Sequence, residues 1–66
     1  MDKESEHIKT LLNARERMVA GRRALADTLA KEYKRGRTEK IEEHFIAVQN
    51  TIDAIDRALA DEKHTS

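Results

Sequence analysis

Residues 41–59, IEEHFIAVQNTIDAIDRAL, decide the fold. Ile41, Phe45, Val48, Ile52, Ile55 and Leu59 follow one another at steps of four, three, four, three and four. That spacing lines all six along one face of an α-helix and argues against a strand, whose side chains change sides at every residue. Ala47, Thr51, Ala54 and Ala58 run beside the isoleucines. The apolar arc is therefore wide, as suits a helix with more than one neighbour. Such a helix draws its stability from packing that arc against something, not from propensity alone.

The neighbour is found upstream. Ile8, Leu11, Leu12, Met18, Val19, Leu25, Leu29 and Tyr33 trace a second and longer stripe, with Arg15 and Arg22 set into its middle. Ala14, Gly21 and Thr28 recur every seven residues beside it, and a small-residue edge lets another helix backbone come close. Between the two stripes stands Gly36-Arg37-Thr38. Gly36 is suited to the left-handed conformation that closes a helix. Thr38, followed by Glu39, is suited to capping the next one. The competing arrangement is one unbroken helix through Gly36, at a cost of only about 1 kcal/mol; the stop and cap signals together favour a turn. Short connections favour antiparallel neighbours. The expectation is a single all-α domain over residues 1–66, an antiparallel helical hairpin. Its first helix spans about residues 4–35, the turn about 36–38 and the second helix about 39–62. Asp2 or Ser5 caps the first helix, and the early acids Asp2, Glu4 and Glu6 suit its positive end, as Lys34 and Arg35 suit its negative end.

A chain of 66 residues holds at most one domain, and one this small buries too little surface to be stable with ease. Short natural domains compensate with disulfides, a metal or an oligomeric interface. There is no cysteine, which removes disulfides, thiolate nucleophiles and the usual structural zinc ligands. Oligomerisation remains, and two hairpins packed as a four-helix bundle would cover the flanks that one hairpin leaves open. A homodimer is the expected assembly, with another helical protein as the alternative partner.

Lys and Arg total 13 and Asp and Glu total 13, so the formal net charge is zero. A charge content of 39% would fit a disordered chain only with a large net charge and weak periodicity; a charged helical surface fits better. The charges are also unevenly laid out. Residues 15–40 carry nine basic and four acidic side chains, whereas residues 41–66 carry six acidic and two basic ones. A basic first helix beside an acidic second helix attracts it. No apolar run approaches the roughly 20 residues that cross a bilayer, and the acidic start lacks the features of a secretion signal. A cytoplasmic protein is expected.

Candidate chemistry is sparse. In a hairpin turning near Gly36, Arg22 falls near the level of residues 49–53 and Arg15 near 55–59, so their nearest acids are Asp53 and Asp56. Each arginine would lay its stem on the core and pair its head at the edge, fixing register more than adding stability. Arginines two turns apart are also suited to binding a phosphate or carboxylate. A second cluster, Lys31, Lys34, Arg35, Arg37 and Lys40, gathers at the turn beside Tyr33 and Phe45. Its ordinary role is to solvate a helix end, and its alternative role is to neutralise nucleic-acid phosphates, although no readout motif accompanies it. His7, His44 and His64 are far apart, and Glu4 with His7 gives the Glu-x-x-His spacing of bundle metal sites only once. No metal or cofactor site, catalytic triad or phosphate loop is expected.

Two resemblances bear on function. Arg22-Arg23-Ala24-Leu25-Ala26, followed by Lys31, is similar to the first helix of helical chorismate mutases, which implies that Arg22 would hold a dicarboxylate substrate. Tyr33 stands where that family places a catalytic lysine, and Ser5 where it places an earlier arginine. The likeness covers about a fifth of the chain and lacks the family's later helices, so no enzyme activity is expected. In architecture alone, a cysteine-free hairpin of this length resembles the plasmid copy-number regulator Rop, which implies RNA binding through the first helices as an alternative function. The reading that the residues favour is a small non-catalytic interaction or regulatory protein that acts through self-association and helix–helix recognition.

Overall fold

The computed structural model describes the backbone of residues 3–32 and 38–65 and the side chains of residues 6–31 and 38–64. It contains two α-helices, α1 (Lys3–Glu32) and α2 (Glu39–Thr65), packed against each other. The protein is an all-α helical hairpin. Helix α1 begins at Lys3, so Ser5 lies inside it and is not the cap that the sequence allowed; Asp2 lies outside the described residues. Tyr33, Lys34, Arg35, Gly36 and Arg37 lie outside them too, and with them the expected helix end and the glycine turn. Helix α2 begins where expected and runs three residues past the expected Glu62.

The start of α2 shows why the chain turns into a helix there. The carbonyl of Thr38 accepts the Glu42 N–H at 2.8 Å, which closes the first helical turn. Its hydroxyl donates to Glu42 Oε1 at 3.5 Å, and the residue is only 3% exposed. Glu39 and Glu42 lie in the positive first turn and Lys63 and His64 in the negative last turn, so the charges at both ends oppose the helix dipole favourably.

The core is a single seam. Val48, Ile52 and Leu59 are buried, Ile52 most completely at 1% exposure, and all three belong to α2. Ile41, Phe45 and Ile55 on α2 are half-buried, as are Ile8, Leu11, Met18, Val19, Leu25 and Leu29 on α1. Two helices shelter each other from one side only, so residues at the edges of each stripe keep contact with water. Leu12, on the outer edge of the α1 stripe, is 49% exposed, and Ile46 on α2 is 58% exposed.

Shape follows from this arrangement. The molecule is a rod measuring 50 × 15 × 12 Å, with a radius of gyration of 15.2 Å, against about 11 Å for a compact domain of this length. Its accessible surface is 5411 Å², about 1,100 Å² more than the roughly 4,300 Å² of a compact monomer of 7.6 kDa.

Candidate interaction surface

Two polar clamps cross the seam on one flank. Arg15 Nε donates to Asp56 Oδ1 at 2.6 Å and Arg15 Nη2 donates to Oδ2 at 3.3 Å, a two-pronged guanidinium–carboxylate contact. Seven residues further along α1, Arg22 Nη1 donates to Gln49 Oε1 at 2.9 Å, and Gln49 Nε2 donates in turn to Asp53 Oδ1 at 3.0 Å. Asp53, expected as the direct partner of Arg22, is thus reached through the Gln49 amide. The step from Asp56 back to Gln49 is also seven residues, so both clamps report the same antiparallel register.

The clamps differ in chemistry. Arg15 and Asp56 remain 40% and 46% exposed, and an ion pair open to water at this level fixes geometry more than it adds stability. The Arg15 hydrogen bond holds the Asp56 carboxyl below its ordinary value; partial desolvation opposes this, and the nearby positive charge reinforces it. Arg15 is reciprocally stabilised in its charged form, first by that hydrogen bond and then by the carboxylate charge. An incoming phosphate or carboxylate would have to compete with Asp56 for the fork of Arg15. At Arg22 it would have to compete with a neutral amide.

On the flank away from the Arg15–Asp56 clamp, an open apolar groove of about 360 Å³ runs along the seam. Arg17, Met18, Gly21, Ala24 and Leu25 line it from α1, and His44 and Val48 from α2. A Cβ placed on Gly21 would meet nothing within 4 Å. A second depression, of about 430 Å³, lies on the outer side of α1, where Leu12, Val19 and Ala20 are ringed by Arg15, Glu16 and Arg23. The first is mainly apolar, with Arg17 its one charged lining residue, and the second is ringed by Arg15, Glu16 and Arg23.

The basic cluster at the turn is represented among the described residues by Lys31 and Lys40, both exposed. Lys31 Nζ pairs with Asp27 Oδ2 one turn back at 3.1 Å, an acid-before-base spacing that supports a helix. Lys34, Arg35 and Arg37, the other expected nucleic-acid contacts, lie outside the described residues. Among the described residues no three His, Cys, Asp or Glu side chains gather as metal ligands, and no helix is long and apolar enough to cross a membrane. Sequence reasoning missed Gln49, whose signal was its place at the level of Arg22 one turn before Asp53. No protein-family model, curated protein or solved structure matches this chain.

Proposed function

We propose that this chain is a small non-catalytic interaction or regulatory protein that works by self-association and helix–helix recognition. The observation that carries the reading is the incomplete cover of its apolar stripes. A two-helix rod with three buried hydrophobic side chains among the described residues exposes about 1,100 Å² more surface than a compact monomer of its mass. A standard protein interface covers about 800 Å² on each partner. A zero net charge leaves copies free of long-range repulsion. The rest of the described surface is helical and charged, with its two central arginines already engaged by Asp56 and Gln49.

The test is the molar mass in solution by light scattering across a hundredfold range of concentration. The expected result is a mass above that of one chain, falling toward it on dilution. A single-chain mass at every concentration, with full helicity retained, would overturn the proposal.

A further inference from the structure

We infer that a second copy of this chain docks in the groove centred on Gly21, so that the dimer forms through the flank opposite the Arg15–Asp56 clamp. The inference rests on the self-association proposed above and names its surface.

Gly21 supplies the first argument. Glycine inside a helix costs about 1 kcal/mol relative to alanine, and Gly21 lies in the middle of the 30-residue α1. Nothing within the hairpin calls for it, because a Cβ there would meet open space. Gly21 lines the groove without a side chain, and a glycine at such a point lets another backbone approach closely.

The chemistry of the flank supplies the second. Ala14, Gly21 and Thr28 recur every seven residues on α1, and His44, Thr51 and Ala58 do the same on α2. The two threonines spend their polarity inside their own helices. Thr28 Oγ1 donates to the Ala24 carbonyl at 3.1 Å and Thr51 Oγ1 donates to the Ala47 carbonyl at 2.9 Å. With those hydroxyls satisfied, the strip between Arg17 and Glu62 can be covered without stranding a hydroxyl donor. The opposite flank offers Leu12, Val19 and Ile46, but covering it would also remove water from the Arg15–Asp56 pair and the Arg22–Gln49–Asp53 chain. Desolvating charged groups offsets what apolar burial gains.

Area supplies the third. The surface excess of about 1,100 Å² per chain exceeds the roughly 800 Å² that a standard interface needs from each partner. One long face of the rod, 50 × 15 Å, is of the size that such an interface covers, and its burial against the same face of another hairpin produces a four-helix bundle with a self-complementary interface.

The experiment compares the wild type with Gly21→Leu on the groove and with the double variant Leu12→Glu, Ile46→Glu on the other flank, by sedimentation and circular dichroism. At Gly21 a Cβ meets nothing within 4 Å, and the remaining leucine carbons would enter the open groove of about 360 Å³ and not the seam. Gly21→Leu is expected to raise the dimer dissociation constant at least about tenfold, while the double variant leaves it within about threefold. Should Gly21→Leu lose helicity, single cysteines decide the matter in a chain that otherwise has none. Ala24→Cys is expected to cross-link into a covalent dimer with a short bis-maleimide, and Leu12→Cys is not. A wild type that is monomeric at every concentration overturns both this inference and the proposed function. A dimer that tolerates Gly21→Leu, or that cross-links through Leu12→Cys and not Ala24→Cys, overturns the choice of face and leaves self-association standing.

Discussion

Truncating Ile52 to alanine is the sharpest test of the seam as the source of stability. Ile52 is the most buried side chain among the described residues, at 1% exposure, so Ile52→Ala withdraws three carbon groups that are fully out of water. At about 0.8 kcal/mol per buried methylene the transfer loss is about 2.4 kcal/mol. Any space that fails to close adds to it; a rod with open flanks can collapse or admit water, so the total should lie near the lower end of the 2–5 kcal/mol range, at about 3 kcal/mol. Native stabilities of about 0.05–0.15 kcal/mol per residue put a chain of this length at about 3–10 kcal/mol, so the loss is a large fraction of the whole. At about 4–8 °C per kcal/mol for a domain of this size, the melting midpoint should fall by about 12–24 °C. The comparison variant is Leu12→Ala, which also removes three carbons, at a position already 49% exposed, and should cost about 1 kcal/mol. Both melts are followed by circular dichroism at one chain concentration, because the proposed self-association would make the midpoint depend on it. Equal shifts for the two variants would refute the claim that the α1–α2 seam carries the stability.

Ile52→Asp should dissociate and unfold the protein together, since the seam that it charges also supports any wider assembly; a folded monomeric Ile52→Asp variant would refute that unity. The Asp56 carboxyl titrates lower folded than unfolded, chiefly because of the Arg15 hydrogen bond. Its contribution is therefore present above the ordinary carboxylate value of 3.8 and fades as pH falls through the depressed folded value. Asp56→Asn should accordingly lower the midpoint at pH 7 and converge with the wild type in acid, and parallel curves across the pH range would count against the pair. Gln49→Ala removes both arms of the Arg22–Gln49–Asp53 chain and should cost about 1 kcal/mol in a denaturant titration. Gln49→Glu should recover little of this, because its charge attracts Arg22 but repels Asp53 one turn away; a clearly stabilised Gln49→Glu would show that Asp53 is not in contact.

Much of this was legible from residue spacing alone. The four–three beat from Ile41 to Leu59 fixes the inner face of α2, and the most buried residues, Val48, Ile52 and Leu59, fall on it. The level of Arg15 could be reckoned from a turn near Gly36 because an antiparallel hairpin pairs residues at equal distances from its turn, and Asp56 was the acid at that level. Arg22 was harder to place. Charge pointed to Asp53, but reach decided otherwise: Gln49 lies closer to the arginine's level and its amide can accept from Arg22 while donating to Asp53. Hydropathy places Leu12 on the stripe but does not reveal how wide an arc one neighbour covers. With only α2 beside it, α1 leaves Leu12 half in water. The burial of Thr38 left no trace in the pattern, since a capping residue is recognised by its polarity and not by what later packs over it.

The two clamps also answer a question that the apolar stripes leave open. A strict heptad pattern is indifferent to a slide of seven residues, because apolar positions meet apolar positions again. A slide that brought Arg15 to the level of Lys63 would give Arg22 the Asp56 carboxylate, but it would set Arg15 opposite a like charge and move Gln49 to the level of Leu29. A slide the other way would give Arg15 the Gln49 amide and Arg22 the Glu42 carboxylate, but it would carry Asp56 to the level of Ile8. Only the observed register gives Arg15 a carboxylate at 2.6 Å and Arg22 an amide at 2.9 Å at once. Both clamps lie on the flank that the inferred dimer leaves in water, where the arginines keep part of their hydration while they hold the helices in step. Register is thus read by polar groups on one side of the seam, and the other side, with its mainly apolar groove, is the face inferred for a second copy.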